Sequence, residues 1–165
     1  MPKFFVTQDK ISDNQIIIDS EDVTHISRVL RLEKGDNVTV CDGQGTDYDA
    51  QIDTIEPKKI LLNIVSRQKS ETEPNIKVTL FQALPKASKM EYIIQKTTEL
   101  GISEIVPVKL SRCVVKIDNK KDEKKKIDRW QKIAESAAKQ SGRGIVPTVS
   151  EFMTINEVID RKSVV

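Results

Sequence analysis

The side chains in this sequence that could do chemistry are cations and amides rather than acid–base pairs. Arg28 and Arg31 stand three apart in HISRVLRLEKGD (25–36), with His25 beside them; Lys86 follows QALP, Arg112 lies in SRCVVK (111–116), and Gln140 and Arg143 lie in KQSGRG (139–144). His25 is the only histidine of the chain, and a lone histidine is more often a hydrogen-bond partner than a catalyst. No Ser/His/Asp arrangement can be built. Cys41 and Cys113 lack metal-ligand spacing, and no G-x-x-x-x-G-K-[ST] phosphate loop is present. What this set can do is hold negative charge. It can clamp phosphates, and it can stabilise charge that spreads onto oxygens at a reacting centre.

These residues need elements to place them. Residues 3–7 and 15–19 read as short strands. In residues 21–36, Val23, Ile26, Val29 and Leu30 recur at helical spacing, with Gly35 as the left-handed stop. Thr24, Arg28 and Arg31 then share the opposite face of that helix. Residues 37–65 alternate in three short runs separated by Gly43–Gly45 and Pro57–Lys59, which predicts a meander closing into a small antiparallel barrel. The polar stretch 66–75 reads as a linker, dividing a domain over 1–70 from one over 74–165.

The pattern changes beyond the linker. The mostly apolar run 76–84 predicts a strand buried on both faces. Ser88 and Glu91 form a capping box before a helix with Met90, Ile93, Ile94, Thr97 and Leu100 on one side, stopped by Gly101. A strand over 104–110 completes a β-α-β unit and implies a parallel sheet. A longer helix spans 118–141 with Ile127, Trp130, Ala134, Ala137 and Ser141 inward, followed by Gly142 and a strand over 145–149. A second capping box, Thr154 with Glu157, opens a short helix, and residues 163–165 read as the opening of a fourth strand. A sheet stopped there leaves an apolar edge, so the chain is expected to be cut short of its fold.

Arg112 then falls at the C-terminal end of a parallel strand, where α/β sheets place their sites. Lys86 occupies the equivalent place after the first strand. For Arg143, a ligand contact favoured by Gly142 and Gly144 and a plain basic residue suiting the helix dipole stand equal; Gln140 could donate to a base edge or cap. Lys89 reads as solvent-facing. The lysine run 120–126, interrupted by Asp122 and Glu123, reads as a solvated helix face that could add non-specific affinity for a polyanion.

Net charge is +2, but unevenly spread: residues 1–72 carry 9 Lys/Arg against 13 Asp/Glu, and residues 73–165 carry 18 against 12. A basic second part fits a polyanionic partner, although a solvated surface gives the same composition. With 38% hydrophobic residues there is enough apolar material for a core. Two lone cysteines, no signal-peptide core in MPKFFVTQDK and no apolar run of membrane-spanning length suggest a cytoplasmic protein.

Four segments carry a resemblance. HISRVLRLEKGD (25–36), QALPKASKMEYIIQKTTELG (82–101), SRCVVK (111–116) and RWQKIAESAAKQSGRGIVPTV (129–149) resemble, in order and spacing, the RsmE-type 16S rRNA uracil-N3 methyltransferases of the SPOUT superfamily. The resemblance implies α+β then α/β architecture: an N-terminal PUA-like β-barrel that helps bind RNA, then a SPOUT-type parallel α/β domain ending in a trefoil knot. It also implies S-adenosylmethionine as cofactor, a homodimer, and methylation of one uridine in the rRNA of the small ribosomal subunit. The family's GPEGG loop and later knot-forming segment are absent from this sequence, so the α/β domain is expected to be incomplete. No cofactor-binding residue can be assigned, and the chain alone is expected to be inactive.

The implied chemistry gives the cations roles. N3 of uracil must lose a proton as the methyl moves, and charge spreads onto its carbonyls. Arg112 is the candidate for stabilising that charge, although Ser111 stands where the family usually has an acidic residue. Arg28, Arg31, His25, Lys86, Gln140 and Arg143 are candidate RNA contacts. A non-catalytic RNA-binding module is the alternative. An unrelated nucleotide-binding α/β domain is disfavoured by the missing phosphate loop and dinucleotide fingerprint.

Overall fold

A computed structural model describes residues 2–86, 89–110 and 119–161. The chain divides into two compact units, Met1–Glu73 with Gly142–Ile145, and Pro74–Ser141 with Val146–Val165.

The first unit is built on one curled sheet of five strands: β1 (Lys3–Phe5), β2 (Gln15–Ile18), β3 (Asn37–Cys41), β4 (Thr46–Ile55) and β5 (Ile60–Lys69). Their order is β1-β3-β4-β5-β2. The β3–β4–β5 meander is antiparallel as the alternation predicts, with Val38 and Val40 fully buried. Two features differ from a closed antiparallel barrel. β1 runs parallel to β3, and among the described residues no ladder joins β1 to β2, so the sheet is open along that seam. β5 also runs to Lys69, into the stretch read as linker. Its last four residues are polar and exposed on both faces, so they show none of the alternation that marks a half-buried strand.

The connection from β2 to β3 departs most from expectation. A single turn of helix α1 (Asp22–Thr24) passes into a π-helical turn, His25–Val29, in which the Leu30 amide donates to the His25 carbonyl at 2.9 Å. Val23 and Ile26 are buried, but Val29 is 67% exposed. Widening the turn rotates the later apolar residues off the core, and Leu32 packs there instead. The chain leaves the helix at Arg31, which has φ 53 and is the only non-glycine residue with positive φ among those described. The stop expected at Gly35 therefore comes four residues early, and Arg31 lies beyond the helix rather than on its polar face.

The second unit is a parallel sheet with helices: β6 (Thr79–Ala83), α2 (Lys89–Glu99), β7 (Glu104–Lys109), α3 (Lys120–Ser141), β8 (Thr148–Val149), β9 (Met153–Thr154) and α4 (Ile155–Asp160). The order is β6-β7-β8, with β9 also paired to β7. β7 is the central strand and is buried from Ile105 to Val108. Met90 and Ile94 of α2 and Trp130 and Ala134 of α3 pack with Ile105 into the core. The run 76–84 looked doubly buried, but β6 begins only at Thr79: Ile76 and Val78 precede it and are exposed, and Phe81 lies on what is, among the described residues, an edge strand. Leu100, placed on the inner stripe of α2 by its spacing, is 84% exposed, and Ser141 is exposed too.

The second capping box forms as predicted: Thr154 accepts from the Glu157 amide, and Glu157 accepts from the Thr154 amide. The Ser88 capping box and the strand at 163–165 lie outside the described residues. Among the described residues, no helix is long and apolar enough to cross a membrane.

Candidate nucleic-acid interface

In the first unit the π-helical turn places its polar side chains outward. His25, Arg28 and Arg31 are all exposed. The His25 ring stands edge-on to Phe4, centroids 6.3 Å apart and planes at 85°. That contact anchors the imidazole on the buried Phe4 while leaving it accessible. Arg31 is the costly element. A left-handed conformation in a residue with a Cβ costs roughly 1–2 kcal/mol, and such outliers, like π-turns, cluster where function requires them. The surface thus presents two arginines and a histidine within seven residues, as a site for phosphate or base-edge hydrogen bonds would.

Arg143 has a different task from the RNA contact expected of it. Its side chain is 4% exposed, and it closes on Glu73, with Nη2 donating to Oε2 at 2.5 Å and Nε to Oε1 at 3.3 Å. The same Glu73 oxygen accepts the amides of Gly144 at 2.8 Å and Ile145 at 3.0 Å. Burial alone would raise the Glu73 carboxyl, but the Arg143 guanidinium and the two amides outweigh it and hold the group below its usual range. Around this carboxylate the segment 142–145 is bound on every side. The Gly45 amide donates to the Gly144 carbonyl at 3.0 Å, the Cys41 thiol donates to the same carbonyl at 3.1 Å, and Lys3 Nζ donates to the Gly142 carbonyl at 3.3 Å. A Cβ on Gly144 would overlap the Ser70 side chain, so this glycine serves close packing rather than ligand approach. Burial pushes the Cys41 thiol up to about 12, which leaves it inert as a nucleophile.

In the second unit, the register Ala83↔Val108 carries the chain after β6 and the chain after β7 out at the same end of the sheet. Lys86 is exposed there. At the same end Lys109 is ion-paired with Glu123 and stands 5.4 Å above the Phe152 ring, so its charge is already committed. Gln140 is exposed in the last turn of α3. Arg112 lies outside the described residues. The structure therefore places His25 and Arg28 on the π-turn with Arg31 two residues beyond it, and Lys86 at the strand end expected of it; it withdraws Arg143 from solvent.

Sequence reasoning missed two carboxylate hubs. Glu73 is one. Glu104, the first residue of β7, is the other: it accepts Arg161 Nη2 at 2.7 Å, Ser150 Oγ at 2.6 Å and Thr79 Oγ1 at 3.0 Å. Both join residues far apart in the chain, for which single-sequence spacing carries no signal. Among the described residues, no group of three His, Cys, Asp or Glu side chains could hold a metal ion.

Comparison with known proteins is consistent with these two units. A family described as an RNA methyltransferase domain matches residues 72–164, and one described as an RNA methyltransferase PUA domain matches residues 18–65. A Bacillus subtilis protein named ribosomal RNA small subunit methyltransferase E is 35% identical over 164 residues, covering 98% of this chain and 64% of that protein. A Synechocystis protein of the same name is 34% identical, covering 96% of this chain and 50% of its own length. The crystal structure of the Neisseria gonorrhoeae protein of that name, bound to S-adenosyl methionine, superimposes with a TM-score of 0.83 at 30% identity over 99% of this chain and 66% of that one. The chain thus spans between half and two thirds of these relatives.

Proposed function

The chain belongs to the RNA methyltransferase domain family, and from that premise we propose that the protein transfers a methyl group from S-adenosylmethionine to N3 of a uridine in the 16S rRNA of the small ribosomal subunit. The 165 residues supply two parts of that enzyme. Residues 1–70 form the RNA-holding PUA-like domain, and residues 74–165 form the first portion of the catalytic α/β domain. The whole protein acts in the cytoplasm as a homodimer.

The observation that carries the RNA assignment is the exposed, left-handed Arg31 just beyond the π-turn that bears Arg28 and His25. A sequence under selection for stability alone would place glycine there. Phosphate contacts from this turn fix the register of the RNA, and exposing the pairing edge of the target base is left to the α/β domain. At the end of β6 Lys86 meets the RNA; Gln140, in the last turn of α3, offers an amide, and Arg112 remains the candidate for stabilising charge on the uracil carbonyls. Among the described residues, the side chains at the ends of β6 and β7 do not fit the methyl donor: Lys86 is cationic like the sulfonium, and Lys109 is already held by Glu123.

The test is genetic and chemical. Disrupting the gene should remove N3-methyluridine from small-subunit rRNA, read by mass spectrometry of its nucleosides, and restoring the gene should return it. Persistence of the modified nucleoside in the disrupted strain contradicts the assignment.

A further inference from the structure

Helix α3 begins in a way that its own stability does not explain. Its 22 residues carry eight Lys/Arg against four Asp/Glu, and the cations crowd the first turns. At 100° per residue, Lys120, Lys121, Lys124 and Lys125 fall on one arc of about 140°, and all four are exposed. Lys120–Lys124 and Lys121–Lys125 are like-charge i,i+4 pairs, which destabilise a helix. They also stand at the end where the macrodipole is positive and anions are preferred.

One acid of the helix, the exposed Asp128, shares this arc a turn beyond Lys124, and among the described residues no ion pair joins it to the lysines. Asp122 is taken up in the N-cap, where its amide donates to Asn119 Oδ1 at 2.8 Å and its carboxylate accepts Asn119 Nδ2 at 2.9 Å. Glu123 is paired with Lys109, and Glu91 of α2 takes Arg129 at 2.7 Å. Among the described residues none of the four lysines has an ion pair. The result is four exposed ammonium groups, without an ion pair among the described residues, at the positive end of a helix dipole.

We propose that this ridge at the start of α3 is a second RNA contact, holding the phosphate backbone without reading sequence. The proposal rests on the RNA-modifying function argued above and adds to it a surface that Arg28 and Arg31 do not supply. A phosphate backbone fits because the ridge is a row of flexible point charges with no apolar anchor among them. That arrangement suits a regular polyanion better than a folded acidic protein.

The experiment measures binding of the purified chain to a small-subunit rRNA fragment as a function of salt. Two quadruple variants are compared: Lys120, Lys121, Lys124 and Lys125 to Ala, and, as an equal change of net charge, Lys34, Lys58, Lys59 and Lys77 to Ala. The α3 variant should flatten the plot of log affinity against log salt by about 3, close to one for each phosphate no longer neutralised, while the control variant changes it much less. The α3 variant should also melt no lower than the parent, because it removes like-charge pairs, so weakened binding cannot be laid to unfolding. Equal effects of the two variants, or an unchanged slope in the α3 variant (even if an acidic protein binds the ridge), overturn the proposal. A parent chain that does not bind RNA at all would instead sink the functional reading beneath it.

Discussion

At the scale of single residues, the first unit holds one strained residue, Arg31, which the proposed function assigns to RNA, and one position constrained by packing. Arg31→Gly should raise stability by up to about 1 kcal/mol, because glycine adopts positive φ without the Cβ penalty, and should weaken RNA binding at the same time. Denaturant unfolding and a binding titration check both signs; a loss of stability would mean that the arginine side chain packs rather than binds. Arg28→Ala with Arg31→Ala should weaken binding to rRNA and flatten its salt dependence, and unchanged affinity at two salt concentrations refutes that surface.

Gly144 exemplifies constraint kept for packing. Gly144→Ala forces a methyl into Ser70 and should cost about 1–3 kcal/mol. Ser70→Gly removes the overlapping atoms and should recover most of that stability in the double variant, a coupling that a thermodynamic cycle reads directly. Additive losses would place the damage elsewhere. The legible part of this site was the basic turn itself, since three polar residues flanking buried Val23 and Ile26 announce an exposed face. The role of Arg143 was not legible. Its partner Glu73 lies 70 residues away, and G-R-G reads equally well as a loop that approaches a ligand.

At the scale of elements, periodicity found the meander, the β-α-β unit and the long helix, and it failed where hydrogen bonding leaves the 3.6-residue rule. The π-turn moved Val29 outward and advanced the helix stop, because a sequence pattern assumes i→i+4 bonds throughout. β5 was read short because strand residues exposed on both faces carry no alternation. The carboxylate hubs tie such elements together, and they give the elements a pH dependence. The Arg161 guanidinium, with Ser150 and Thr79, holds the Glu104 carboxyl below its usual range; Arg143 and the backbone amides do the same for Glu73 against its burial. A depressed folded value means that the stabilisation is complete above the ordinary carboxyl value of 4.5 and is lost as pH falls through the lowered one. Glu73→Gln should therefore destabilise the protein at about pH 6, with a penalty that shrinks toward about pH 3. A penalty independent of pH would show that the carboxylate charge is not what holds the 142–145 segment.

At the scale of the whole molecule, the change from alternating runs to a strand–helix pattern near residue 74 exposed two units in the sequence. What it concealed is that residues 142–145 join the first unit although both flanks belong to the second, since no local pattern encodes a return over so long a stretch of chain. The charge asymmetry was visible in the sequence, but its meaning was not. Only the packing shows that Lys109 and Arg129 are ion-paired while, among the described residues, the lysines opening α3 are not. That this chain is the RNA-holding portion of a methyltransferase is tested most directly by equilibrium binding of the purified chain to small-subunit rRNA from about 50 to 200 mM salt. Affinity should fall steeply and linearly in log–log form over that range; absent binding, or binding indifferent to salt, would contradict the assignment.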